Sequence, residues 1–218
     1  IATRTLDKAR DGTRGISGVN LTNDPAVVVR QPDVDIVCEL IGGIEPARTL
    51  VLDAIAHGKH VVTANKALLA HHGNEIFAAA SAKGVMVAFE AAVAGGVPII
   101  KALREGLSAN RIEWIAGIIN GTSNFILSEM RAKGAPFAAV LAEAQARGYA
   151  EADPTFDIEG IDAAHKATIM CAIAFGVPMQ FDRAYVEGIT ALQAADIRYA
   201  EQLGYRIKLL GITKRTAQ

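Results

Sequence analysis

The chain has 218 residues, 51% of them hydrophobic and 21% charged, with 22 Lys and Arg against 23 Asp and Glu for a net charge of −1. So much apolar material with so little net charge excludes a disordered chain, and folding at this length buries roughly 70% of the unfolded surface. Balanced charge speaks against a nucleic-acid partner, and Cys38 and Cys171 are too few for a disulfide scaffold.

Asp24 and Pro25 read as a helix start, with Asp24 capping and Pro25 in the first turn. Residues 34–41 read as a buried strand that ends at Gly42-Gly43, and residues 46–57 carry apolar positions at helical spacing before Gly58 stops them. A second strand is expected over 60–63, a helix over 67–83 and a third strand over 85–89. Strand and helix alternating at this spacing predict a parallel sheet with crossover helices. The character shifts near Gly95 to Pro98. Helices are then expected over 98–105, 125–133, 136–147 and 160–175, and strands over 111–119 and 206–213, with a polar loop at 120–124. The expected division is 1–97 and 98–218.

The chain opens Ile1-Ala2-Thr3-Arg4, without an initiator methionine or a charged-then-apolar leader, and is expected to be part of a longer protein. Its longest uncharged stretch, 167–181, is shorter than the roughly 20 residues a membrane helix needs. A cytoplasmic protein without a membrane partner is the expectation.

Three constellations carry chemical meaning. In open α/β sheets ligands bind at the carboxyl ends of the strands. That places Gly42 and Gly43, then Thr63, Asn65 and Lys66, then Glu90, at candidate ligand positions, with Gly42 and Gly43 able to let a cofactor approach the backbone. Each has a plainer reading: turn glycines, and a solvated lysine at a helix start. The second constellation runs from Gly148 to Lys166 and holds Glu151, Asp153, Asp157, Glu159 and Asp162. A calcium loop counted from Asp153 fails, because Ile158 and Ala164 stand where Gly and Glu are required. Asp162 and Lys166 share a helix face, either as a structural ion pair or as an acid/base site. The third is Asn120-Gly121-Thr122-Ser123-Asn124, which reads as donors for a small polar ligand or as simple capping of the next helix by Ser123 or Asn124. The five histidines show no metal spacing and read as structural or surface residues.

Together these segments resemble homoserine dehydrogenases. The likeness rests on residues 117–127, most closely on 148–166, and on 35–43, 62–66 and 90–98 in the same order. It implies an incomplete Rossmann-type nucleotide-binding domain followed by an α/β catalytic and dimerisation domain with a mixed sheet. The implied activity is interconversion of L-homoserine and L-aspartate 4-semialdehyde by hydride transfer with NAD(P)(H), in the aspartate-derived route to threonine, methionine and isoleucine. By the same resemblance Lys166 is the acid/base, Asp162 and Glu151 hold the substrate with Asp157 nearby, and Lys66 lies at the junction of nicotinamide and substrate. Gly148 contacts the cofactor. Glu90, Val93, Gly95 and Val97 form a site for a monovalent cation, Na or K. A homodimer or higher homo-oligomer is implied.

The chain departs from the pattern at its start. A Gly-x-Gly-x-x-Gly turn after a first strand is missing, since Asp11-Gly12-Thr13-Arg14-Gly15 lacks both the strand and the spacing. On the family pattern Ile1 to Arg4 is the tail of the second strand, and Arg4 leans the reading to NADP over NAD. The C-terminal end is expected to be truncated as well. Alternatives are a related amino-acid dehydrogenase or reductase, a non-catalytic remnant that only dimerises or binds ligand, and the middle of a bifunctional kinase–dehydrogenase.

Overall fold

The computed structural model describes residues 1–216. The chain divides into two compact units, Ile1–Ile99 and a second that begins at Ile100. In the first, helices α1 (Leu6–Gly12) and α2 (Pro25–Arg30) lead into β1 (Ile36–Glu39), α3 (Ala47–Ala56), β2 (His60–Thr63), α4 (Lys66–Lys83) and β3 (Val87–Ala88). The three strands form one parallel sheet in the order β1-β2-β3. A parallel neighbour needs a crossover, and α3 and α4 provide the two. Helix α3 packs on β1, β2, α2 and α4. Val51, Ala54 and Ile55 of α3 and Leu68, Leu69 and Ile76 of α4 are fully buried in that contact.

Local chemistry sets the ends of these helices. Asp24 accepts a hydrogen bond from the Ala26 amide at 2.9 Å, as expected, and Pro25 opens α2. Asn65 caps α4 through the Leu68 amide at 3.1 Å. Near the start, the Thr22 amide donates to Ile1 O at 3.0 Å and the Thr3 amide to Thr22 O at 2.9 Å, a parallel bridge centred on Ala2 and Thr22.

Strand β1 differs from its expectation. It is shorter than 34–41 and alternates: Val37 and Glu39 are buried, whereas Ile36, Cys38 and Leu40 are exposed. The helices cover one face of the strand, so period-2 burial replaces the fully buried strand that the apolar run suggested.

From α5 (Ile99–Lys101) the chain continues into a π-turn over Ala102–Gly106. The second unit then builds β4 (Trp114–Gly117), α6 (Gly121–Lys133), α7 (Phe137–Ala146), α8 (Thr155–Ile158), α9 (Ile161–Phe175), α10 (Ala194–Gln202) and β5 (Gly211–Lys214). Strands β4 and β5 pair antiparallel, Trp114 opposite Lys214 and Gly117 opposite Gly211. That register fixes the strands, so β5 starts later than the apolar run at 206–213 indicates. Ile126, Leu127 and Met130 of α6 pack with Val140 and Ala144 of α7, Ile158 of α8 and Ile197 of α10 to form the core.

The start of α6 corrects two expectations. The helix begins at Gly121 and not at Phe125, and the cap is neither Ser123 nor Asn124. Asn120 caps it, its Oδ1 accepting from the Ser123 amide at 2.8 Å. A good N-cap lets residues of indifferent helix propensity form the first turn. Among the described residues no helix is long and apolar enough to cross a membrane.

Candidate functional site

In the first unit the candidate residues gather at the carboxyl ends of β1 and β2. The organiser is Glu39, which the sequence reading did not single out. Its carboxylate is buried. Oε1 accepts from the Ile41 amide at 2.8 Å and the Gly42 amide at 3.2 Å, and Oε2 accepts from the Thr63 hydroxyl at 2.6 Å. Asn65 donates from Nδ2 to Gly43 O at 2.6 Å, and the Asn65 amide donates to Thr63 Oγ1 at 2.9 Å. The side chains of Thr63 and Asn65 therefore face the protein and shape the turn. Gly42 and Gly43 both take positive φ, with open space where a Cβ would project. A bound molecule can lie against that backbone. Lys66 opens α4 and is half-buried. A signal for Glu39 existed in the sequence: it stands two residues after Val37, on the same strand face, so an apolar neighbour foretold its burial.

Residues 90–97 form a tight turn in the same unit. Glu90–Ala92 is a single 3₁₀ turn, Val93 is fully buried and Val97 is exposed. Glu90 O accepts from the Val93 amide at 3.4 Å and Val97 O from the Ile99 amide at 2.8 Å. Among the described residues no group of three His, Cys, Asp or Glu side chains is placed to hold a metal ion. An ion at this turn would rest chiefly on carbonyl oxygens, a donor set that suits hard cations.

In the second unit the polar constellations of residues 120–124 and 148–166 converge. Helix α9 carries Asp162 and Lys166 one turn apart, and Lys166 Nζ donates to Asp162 Oδ2 at 2.6 Å. The same ammonium donates to Ile119 O at 2.8 Å. The Asp162 side chain is 5% exposed and that of Lys166 17%. Asn120 closes the cluster, with Nδ2 donating to Asp162 Oδ2 at 2.9 Å and to Asp157 Oδ1 at 2.6 Å. Ser123 Oγ donates to Asp157 O at 2.8 Å. The exposed Glu151 follows α7 in a loop whose carbonyls, Glu151 O and Ala152 O, accept from Gln145 Nε2 at 3.1 and 3.3 Å. Gly148 lies at the start of that loop, exposed, with φ of 75°.

Asp153 is exposed and organises α8. Its Oδ1 accepts from the Thr155 hydroxyl at 2.6 Å and the Thr155 amide at 3.1 Å, and these bonds, the hydroxyl's foremost, hold its carboxyl below the usual range. His165 is buried with its ring 4.5 Å from that of Phe181 and 6.1 Å from that of Phe156, in a packing role.

Two family profiles together account for nearly the whole chain. The homoserine dehydrogenase profile matches residues 98–218, and the profile of the homoserine dehydrogenase NAD-binding domain matches residues 1–90. The chain belongs to the homoserine dehydrogenase family. A Pseudomonas aeruginosa homoserine dehydrogenase is 70% identical over 90% of this chain and 45% of its own length. A Synechocystis homoserine dehydrogenase is 50% identical over the whole chain and 50% of its own. The crystal structure of a Thiobacillus denitrificans homoserine dehydrogenase superposes with a TM-score of 0.95 at 73% identity, over 99% of this chain and 49% of that one. A hyperthermophilic archaeal homoserine dehydrogenase in complex with NADPH superposes with a TM-score of 0.73 at 29% identity, over 87% of this chain and 60% of that one. The chain thus spans about half the length of the curated relatives it matches.

Proposed function

We propose that the full-length protein bearing this chain interconverts L-homoserine and L-aspartate 4-semialdehyde with NADP(H), in the aspartate-derived route to threonine, methionine and isoleucine. Residues 1–97 serve the cofactor and residues 98–218 the chemistry. The observation that carries the reading is the placement of Lys166, whose ammonium is held at once by a buried carboxylate and a backbone carbonyl.

An ammonium has three donors. Asp162 and Ile119 O take two, and their directions fix the third. In the reductive direction that third N–H protonates the substrate's carbonyl oxygen as the aldehyde becomes an alcohol, and in the oxidative direction the neutral amine takes the hydroxyl proton back. Glu151, exposed on its loop, binds the substrate's ammonium group with Asp157 nearby. The nicotinamide, when bound, supplies or accepts the hydride. In the first unit the Gly42–Gly43 turn gives it backbone to lie against, Thr63 and Asn65 shape that turn, and Lys66 serves the nicotinamide; in the second unit Gly148 is the glycine assigned to the cofactor. Glu90, Val93, Gly95 and Val97 hold a monovalent cation, Na or K, through carbonyl oxygens.

Arg4 favours NADP over NAD, because a guanidinium pairs with a 2′-phosphate, and the archaeal relative solved with NADPH agrees. The protein is cytoplasmic and a homodimer or higher homo-oligomer. The exposed Trp114 and Ile212 on paired strands β4 and β5 support association.

The test is NADPH oxidation by the full-length protein with L-aspartate 4-semialdehyde. Wild type turns over, and Lys166→Ala lowers kcat by about 10²–10⁴-fold with little change in the KM for NADPH. Turnover only on another aldehyde or imine would transfer the assignment to a related dehydrogenase, and a full rate in Lys166→Ala would remove the lysine from the chemistry.

A further inference from the structure

Asn120 performs two tasks with one carboxamide. Its Oδ1 caps α6 by accepting from the Ser123 amide at 2.8 Å. Its Nδ2 gives one proton to Asp157 Oδ1 at 2.6 Å and the other to Asp162 Oδ2 at 2.9 Å. The orientation follows from chemistry: reversed, the amide would set an oxygen against two carboxylates and an NH₂ against a backbone N–H. The side chain is only 4% exposed, so these bonds form away from water. Asp162 Oδ2 is also the acceptor for Lys166 Nζ, and the preceding residue's carbonyl, Ile119 O, is the second acceptor for that ammonium. Residues 119 and 120 therefore hold both members of the Asp162–Lys166 pair.

We propose that Asn120 is a positioning residue: its carboxamide separates Asp157 from Asp162 and orients Asp162, and through it Lys166, for proton transfer. The inference rests on the functional reading above and deepens it. The charged groups facing the amide are Asp157 from α8 and Asp162 and Lys166 from α9. Farther along α6, Lys208 is held by Asn124 at 2.6 Å and Ser128 at 3.1 Å.

Two substitutions separate the tasks, because Ser and Asp cap helices as well as Asn does. In the full-length protein Asn120→Ser keeps the cap but has no NH₂ to reach the carboxylates. The expected result is a Tm within a few degrees of wild type and a kcat lowered by about tenfold or more, since small misplacements of a reacting group have effects of that order. Asn120→Asp keeps the cap and sets a third carboxyl against two others. That added charge repels Asp162 instead of holding it, so kcat is expected to fall at least as far as in Asn120→Ser while the KM for NADPH stays near wild type, a split that capping alone does not produce.

If wild type does not turn over L-aspartate 4-semialdehyde, the functional reading falls and takes this proposal with it. If wild type is active and Asn120→Ser retains full kcat, or if the kcat of both variants falls only in step with Tm, Asn120 is a helix cap and the proposal alone is overturned.

Discussion

Gly160 joins α8 to α9, the helix of Asp162 and Lys166, and has a φ of +79°. A Cβ placed there would stand 2.7 Å from the Glu187 carbonyl oxygen, which is backbone and has little freedom to withdraw. The left-handed conformation costs a residue with a Cβ about 1–2 kcal/mol, and forcing an atom into filled space costs about 1–3 kcal/mol more. Gly160→Ala is therefore expected to destabilise the second unit by about 2–5 kcal/mol, a fall in Tm of roughly 10–20 °C for a domain near 100 residues. Gly134→Ala is the control. It has a φ of +61° and nothing within 4 Å of the added Cβ, so only the conformational cost of about 1–2 kcal/mol applies. Scanning calorimetry on full-length protein compares the two, and kcat follows α9 independently. Equal shifts for both variants would refute the claim that the Glu187 carbonyl constrains this junction.

Glu39→Ala removes the acceptor of two backbone amides and of the Thr63 hydroxyl, and is expected to cost about 2–4 kcal/mol. It should raise the KM for NADPH and leave the KM for L-homoserine near its starting value; an unmoved NADPH KM would disconnect the turn from the cofactor. Thr155→Val should raise the Asp153 pKa toward the ordinary value, because the Thr155 hydroxyl is the chief cause of its depression. A depressed folded-state pKa means that this carboxylate stabilises the fold above its unfolded-state pKa, and that the contribution disappears as the pH falls through the folded value. NMR titration of the Asp153 side chain checks the shift, and an identical midpoint in both proteins would show that the hydroxyl does not set it.

The parallel βαβ order was legible because each crossover helix is stopped by a glycine, Gly58 after α3 and Gly84 after α4, signals confined to a few neighbouring residues. The meeting of Asp162 with Lys166 was legible for the same reason, being one helical turn. Glu39 and Asn120 were harder to read. Glu39 acts on amides two and three residues ahead and on a hydroxyl from the next strand, and Asn120 meets Asp157 and Asp162 from 37 and 42 positions away. The bonds to Thr63, Asp157 and Asp162 are tertiary contacts that no local pattern encodes. The first turn of α6 was missed because its Gly-Thr-Ser-Asn sequence has indifferent propensity, and one capping side chain outweighed it. At the start of α10 the Asp196 carboxylate accepts from the Gln193 amide at 2.8 Å, a local signal, but Ile197 alone of that helix is buried, so its apolar content gave little to read.

The turn after β1 carries two glycines at positive φ, yet two of its amides are already in use. Those of Ile41 and Gly42 donate to the buried carboxylate of Glu39. What the turn shows to solvent is aliphatic surface, Leu40 at 76% and Ile41 at 47% exposure. Such a ledge suits the flat, weakly polar face of a ring. With the Ile41 and Gly42 amides committed to Glu39, mutating Leu40 or Ile41 should disturb how a ring is seated more than how strongly a phosphate is held.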